Sequence, residues 1–514
     1  MWSTRGDRAM NGADSTPVIV GVGQVVERIG EAGWQGLSAA DLAAAAAERA
    51  LADAGAARDL KPLVEVVSSI RTFEDSGAAP SPFGKPDKFP LAVARRVGLA
   101  PRHAILEAVG GQSPVTALVE MAERIARGET AAGMVFGAEA ISNTRYLSSQ
   151  GEMRDWAEHD EGEIEDRGSA RMLTALGIRH GIVSAPIAYA LLENARRARL
   201  GMSREDYCTA MGELFAPFSA KAAANPYSCA ASEPLSAEEI ATVTAKNRMI
   251  ADPFPLKVVA RDQVNMGAAM LVMSVAAARG AGIPEDRWVY IHGAAQAAEP
   301  DILERADPGA YPAAEAALDA ALAASGKLMG EVEVLDFYSC FPIAVFSTAI
   351  DHLGLNQNDP RGLTVTGGLP YFGGSGNGYS SHAIASTVER LRERSGAYGL
   401  VGANGGFQSK YAALVLSTEP GAFPGWSEAV QKRAPSPEIA ELAQGPGTVE
   451  TYTIVYGREG PTYAIAVGSL ADGSRFIARS DDPATLTAME DADPVGAQVL
   501  LSNGGERNAF TLGG

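Results

Sequence analysis

The chain has 514 residues, 46% of them hydrophobic and 20% charged, with a formal net charge of -19 at pH 7. This length predicts two to four structural units, and the balance is that of a globular protein rather than a disordered one. The negative charge argues against a nucleic-acid or anionic-membrane partner, because phosphate recognition needs clustered Lys and Arg.

Met1 to Thr16 form a polar start without an apolar signal core, and no uncharged stretch approaches membrane-spanning length. Residues 16–25 (TPVIVGVGQV) read as a buried strand entering a glycine turn. Gly21 and Gly23 suggest a dinucleotide loop, but the third glycine of that fingerprint and its distant acidic residue are missing. Ser38 opens an Ala-rich helix, with Asp41 as capping-box partner and Gly55 as its stop. VVSSI (66–70) is strand-like.

In residues 104–142, AILEAV meets Gly110-Gly111-Gln112-Ser113-Pro114. A helix starts there, with Ser113 expected as N-cap and Pro114 at the first helical position. Val115, Leu118, Val119, Ala122 and Ile125 form its apolar stripe. Gly128 stops the helix and AAGMVFGAEAIS is the next strand. Strand, helix and strand make a βαβ unit, which predicts a parallel sheet carrying helices. Residues from about 146 to 250 are charged and irregular, and read as a large insertion over one end of the sheet.

Strand and helix alternate again after Val272. The series is WVYIHGAAQ (288–296), a helix over 311–325, the strand VEVLDFYSCF, a glycine-dense loop over 367–378, a further helix, and strands around 402–406. The second half repeats the order of the first, which implies an internal duplication. A Pro/Gly-rich linker (419–447) precedes a stretch of strand signals only, including a turn at Asp472-Gly473. Several short strands from 448 to 514 predict a small antiparallel barrel of the oligonucleotide/oligosaccharide-binding (OB) type. Nine acidic residues against four basic ones there speak against nucleic acid and favour a docking or covering role. Three cysteines (Cys208, Cys229, Cys340) and six scattered histidines offer neither a disulfide framework nor metal-ligand spacing. A cytoplasmic, metal-free protein is expected.

ERIARGETAAGMVFGAEAIS, NPYSCAA, MIADPFPLKVVARDQVNMGAAMLVMS, LDFYSCFP, TGGLPYFGGSGNGYSSHAIA and GANGGFQSKYAALVLST occur in order over residues 16–418. In this series the chain resembles the thiolase superfamily, in its sterol-carrier-protein thiolase / acetyl-CoA acetyltransferase branch. The resemblance implies a duplicated five-layered α/β thiolase fold: an N-terminal half (1–145, completed by 251–280), an inserted loop domain (146–250) and a C-terminal half (281–418). The barrel-like tail, 448–514, lies beyond ordinary thiolases.

Thiolase chemistry uses a cysteine nucleophile at a helix N-terminus, a histidine that activates it, a second cysteine that moves a proton, and an oxyanion site involving Asn. By register, these positions fall on Gly111, Gly374, Gly402 and Tyr338. Losing the nucleophile alone costs about six orders of magnitude in rate. Ordinary thiolase turnover is therefore expected to be absent, and the glycines are expected to leave room for a bulkier acyl chain. The polar groups left nearby are Tyr338, Cys340, Tyr371, Tyr379, His382, Ser113 and Asn404. Of these Tyr338, His382 and Cys340 are the catalytic candidates, while Gly111, Ser113, Gly374, Tyr379, Gly402 and Asn404 line the substrate. Each also has a plainer reading, Tyr338 and Cys340 as core, Ser113 as cap and His382 as brace. The resemblance implies a coenzyme A thioester as substrate, held largely by the loop domain, with no permanent cofactor and a homodimer left open. Three functions stand side by side: an acyl-CoA-processing acyltransferase relative with altered chemistry, a retro-aldolase using tyrosine and histidine, and a non-catalytic acyl-CoA binder.

Overall fold

In the computed structural model, residues 14–169, 173–229 and 233–512 are described. The start of the polar N-terminal stretch and the end of NPYSCAA fall outside them. The first half contributes β1 (Pro17–Val26), β2 (Val64–Ser69), β3 (His103–Leu106) and β4 (Ala132–Ala140). The inserted region adds β5 (Glu165–Asp166), β6 (Met249–Ala251) and β7 (Phe254–Pro255), and β8 (Asn265–Ser274) returns to the half. The second half has β9 (Val289–Ala298), β10 (Val334–Phe337), β11 (Tyr398–Gly405) and β12 (Lys410–Ser417). These strands, apart from β6 and β7, form one continuous sheet in the order β10-β11-β12-β9-β1-β8-β4-β2-β3-β5.

The duplication is visible in that order. β1 and β8 are antiparallel and β2 and β4 parallel, as are β9 with β12 and β10 with β11 in the second half. The halves meet where β1 pairs briefly with β9, Val18 opposite Tyr290 and Ile19 opposite Val289. The Ala39–Asp53 helix covers the outside of the first half-sheet and Pro312–Ser325 the outside of the second. Helices Ser113–Ala126 and Tyr379–Arg392 pack on each other in the middle and touch strands of both halves. Five layers result.

Local chemistry explains the outer packing. Ser38 and Asp41 form the expected capping box. Gly21 and Gly23 serve close approach rather than a nucleotide, since a Cβ on either would strike the helix backbone, at Ala50 and Ala46 respectively. At the far rim, Ile105 and Leu106 of β3 pair with Glu165 and Asp166 of β5.

The C-terminal unit comprises β13 (Gly445–Tyr456), β14 (Pro461–Leu470), β15 (Arg475–Ser480), β16 (Gln498–Asn503) and β17 (Asn508–Leu512). It closes as β13-β14-β15-β17-β16-β13. All neighbours are antiparallel except β15 and β17, because the Pro483–Asp491 helix carries the chain across between β15 and β16. Alternation along β14 and β15 sorts their side chains. Ala464, Ala466, Phe476 and Ala478 fill the barrel, whereas Ile465, Val467 and Ile477 belong to the core of the main body. In this barrel type the second and third strands form the ligand-reading face. Here that face is buried against the rest of the chain.

Candidate functional site

The central helices begin side by side, and their leading loops are fastened together. The Gly110 N–H donates to Asn377 Oδ1 at 3.0 Å, Asn377 Nδ2 donates to the Arg71 carbonyl at 2.8 Å, and Ser380 Oγ donates to the Gly111 carbonyl at 2.7 Å. Ser113 is not the N-cap expected from the sequence. Its Oγ donates to the Ala108 carbonyl at 2.7 Å, and Gln112 precedes the first turn without a side-chain cap bond. The first turn closes instead on the Gln112 carbonyl, which accepts from the Val115 and Thr116 N–H groups at 3.0 and 3.1 Å.

The room expected around the glycines is filled. A Cβ on Gly111 would collide with the Asn404 carbonyl and the Tyr338 hydroxyl, and would stand 2.7 Å from Tyr338 Cζ. A Cβ on Gly402 would strike the Tyr411 hydroxyl, and one on Gly374 would press on Leu369 and the Arg261 carbonyl, both at 3.2 Å. Gln112 folds between Gly110 and Gly405, leaving its Oε1 buried without a hydrogen-bond partner among the described residues. Aromatic and amide side chains thus occupy the volumes from which glycine removes one.

Tyr338 follows β10, and its N–H donates to the Gly402 carbonyl at 3.1 Å. Its ring meets that of Tyr379 edge-on at 5.2 Å. The Tyr379 hydroxyl is 2.5 Å from Thr366 Oγ1 and donates to Asp336 at 3.3 Å, so it braces β10. Burial pushes the Tyr338 hydroxyl far above the usual phenol range, with the nearby Cys340 adding to the rise. Cys340 accepts from Asn404 Nδ2 at 3.5 Å, and burial pushes its thiol up to about 12, which keeps it protonated. Tyr371 is buried, with no partner for its hydroxyl among the described residues.

His382 faces elsewhere. Its Nδ1 is 2.9 Å from Gln24 Oε1 on β1, an acceptor only, so Nδ1 carries the proton. Burial drives its pKa down to about 3, and the ring stays neutral. Phe372 packs against both His382 and Tyr379. No hydrogen bond joins His382 to Tyr338.

Asn404 is the hub of a network absent from the sequence reading. Its Nδ2 donates to Tyr189 Oη at 2.7 Å and its Oδ1 accepts from Tyr311 at 2.8 Å. The Tyr189 hydroxyl donates onward to the Gly406 carbonyl at 2.9 Å, and its ring stacks on Phe341 at 4.4 Å. Tyr189 lies on the Ala185–Arg199 helix of the insertion, so that region is bolted into the site. Nothing local in APIAYALLENARRAR marks it. Tyr411 was legible: β11 and β12 pair Asn404 with Tyr411 and Gly402 with Ala413, making Tyr411 the diagonal same-face neighbour of Gly402.

Residues 427–506 match the family model of the thiolase-like protein type 1 additional C-terminal domain. The whole chain resembles the crystal structure of a monomeric SCP2-thiolase like protein type 1 from Mycobacterium smegmatis, with 42% identity over 97% of this chain and 100% of that one, at a TM-score of 0.83. This chain belongs to the thiolase-like protein type 1 family. More distant likenesses show the thiolase fold alone. The Ltp2-ChsH2(DUF35) aldolase is 20% identical over 79% of this chain and 98% of that one, TM-score 0.57. The dimeric peroxisomal thiolase of Saccharomyces cerevisiae is 15% identical over 80% and 98%, also at 0.57. No curated protein matches the chain. Among the described residues of this thiolase-like protein, no helix is long and apolar enough to cross a membrane.

Proposed function

We propose that this thiolase-like protein binds a coenzyme A thioester without performing thiolysis or Claisen condensation. The observation that carries the reading is the Tyr338 hydroxyl, seated where a side chain on Gly111 would project. A thiolase needs a sulfur there, and here the neighbouring groups are a neutral phenol and a backbone carbonyl. The thiol two residues from Tyr338, that of Cys340, is bonded to Asn404 and held protonated by burial.

Binding is supported by fold and by charge. In a chain of net charge -19, Lys257 and Arg261 lie on one segment without acidic residues, 253–261, between Asp252 and Asp262. That segment runs into the site, where the Ala260 N–H donates to the Cys340 carbonyl at 3.0 Å and the Arg261 carbonyl accepts from Gly374 at 2.7 Å. Cations leading to a polar interior suit a phosphate-bearing carrier with an acyl end. The retro-aldol reading has less support, since Tyr338 lacks a base within reach and His382 is turned toward β1.

The test is calorimetry with acetoacetyl-CoA, alongside thiolysis and β-hydroxyacyl-CoA cleavage assays. Binding without turnover is expected. Thiolysis, or an acylated protein in the mass spectrum, overturns the reading, and carbonyl product from the β-hydroxyacyl-CoA substitutes the aldolase for it.

A further inference from the structure

Five arginines are buried among the described residues: Arg71, Arg196, Arg197, Arg305 and Arg475. Four have carboxylate partners, respectively Asp166, Asp351, Asp493 and, for Arg475, Glu450. Arg305 has none. It is 5% exposed, its Nε donates to the Pro300 carbonyl at 3.1 Å and its Nη2 to the Phe407 carbonyl at 2.9 Å. Its Nη1 is buried without any partner among the described residues. The nearest carboxylates are engaged elsewhere: Glu299 accepts from the Ala313 N–H at 2.5 Å and lies 3.5 Å from Arg433, and Asp301 caps the Leu303 N–H at 3.1 Å.

Gln408, next to the carbonyl that Arg305 holds, is anomalous in two further ways. It is fully buried with both amide atoms unpartnered, and at φ 49° it is the one non-glycine residue with positive φ among the described residues. Backbone strain and an orphaned amide each oppose stability, and they persist where the surroundings or a bound partner over-determine them. The two residues are held rigidly. Arg475 of the barrel donates to the carbonyls of Leu303 (3.0 Å), Arg305 and Ala306 (3.2 Å), fixing the loop that carries Arg305. The Gln408 N–H donates to Tyr189 Oη at 3.2 Å, which ties the hairpin to Asn404.

We propose that Arg305 and Gln408 hold a small monovalent anion at the junction of barrel, hairpin and inserted helix. A buried water would satisfy Nη1 but bring no charge to a guanidinium that no carboxylate contacts, and a guanidinium does not escape by losing its proton. The anion accepts from Arg305 Nη1 and Gln408 Nε2, and both donors are closed off from solvent. The single charge of Arg305 calls for a halide or a formate-sized carboxylate rather than a multiply charged carrier phosphate. Occupancy would stiffen the Gly405–Ser409 turn and through it Tyr189 and Asn404, so the ion is a structural part of the neighbouring site.

The experiment uses the full chain. A crystal grown with bromide in place of chloride is expected to show an anomalous peak between Arg305 Nη1 and Gln408 Nε2. In parallel, the melting temperature at constant ionic strength is measured in chloride, formate and gluconate. It should rise by roughly 1–3 °C per tenfold increase of the small anion above its Kd, and not in gluconate. Steeper response to formate assigns a carboxylate, and steeper response to chloride assigns a halide; both support the site. Arg305→Met should abolish the response, and Gln408→Gly should weaken it while raising the melting temperature in gluconate through relief of the positive φ. Equal melting curves in all three salts, or an unchanged response in Arg305→Met, each overturn the proposal, as does the absence of a bromide peak where chloride gives the steeper response.

Discussion

The candidate site around Gly111 and Gly402 and the polar seam that holds the barrel are built by different means. Around Gly111 and Gly402, contacts are neutral and tight: Tyr338 against Gly111, Tyr411 against Gly402, and Asn404 among two phenols. At the barrel junction, charges do the fastening. Arg197 pairs with Asp493 at 2.5 Å, Arg204 donates to Tyr452 at 2.7 Å and to three carbonyls of 489–492, and Asp252 accepts from Tyr452 at 2.9 Å. Tight neutral packing tolerates little change in volume, whereas a buried charged network tolerates little change in charge. The contrast teaches that the first region is sensitive to added volume and the second to a missing charge.

The sharpest break should come at the joint. Val467 is fully buried in the main-body core, and Val467→Asp places a carboxylate there without a partner. A loss of about 4 kcal/mol or more is expected in urea denaturation, with barrel and main body failing together. Asp493→Asn should come next, costing about 3 kcal/mol by leaving Arg197 buried without its partner charge, while Asp493→Glu retains most of the stability.

Gly111→Cys puts a sulfur at the position that register aligns with the thiolase nucleophile, yet it should yield no thiolysis, because Tyr338 occupies the space its side chain needs. The overpacking should cost about 1–3 kcal/mol, and Tyr338→Ala in the same chain should recover much of it, a non-additivity read from a double-mutant cycle. Additive costs would remove the steric argument.

The smallest effect distinguishes the two regimes by pH. Glu193 is buried between Tyr207 (2.5 Å) and the Ile343 N–H (2.9 Å), and burial raises its pKa to about 7. With the folded pKa above the unfolded one, the folded state binds this proton more tightly. Its contribution is therefore largest below the unfolded pKa and is lost as pH rises toward 7. Relative to Glu193→Gln, the wild type should lose stability between pH 5 and pH 8, and parallel stability curves would contradict this.

Much of the architecture was legible from local pattern. The capping box at Ser38, the apolar stripe after Pro114 and the turn at Asp472-Gly473 each follow from spacing and turn chemistry. The order of the thiolase-like blocks also carried the duplication. The candidate site was read from the sequence as a set of absent groups, and the side chains that stand beside those positions were not visible in it. Tyr338 reaches Gly111 from 227 positions away, Tyr189 arrives from the insertion, and Arg305 is singular only when its lack of a carboxylate is seen in three dimensions. Side-chain periodicity reports which face is buried, not which distant residue fills it.

The pairing of β5 with β3 has a consequence for self-association. An open rim of a large sheet exposes unsatisfied amides and carbonyls that invite an incoming strand. Here Glu165 and Asp166 occupy those positions on Ile105 and Leu106, and Glu165 also meets His103 at 2.9 Å and Arg167 at 2.9 Å. A second molecule approaching this rim finds the ladder already taken, behind a hedge of charge.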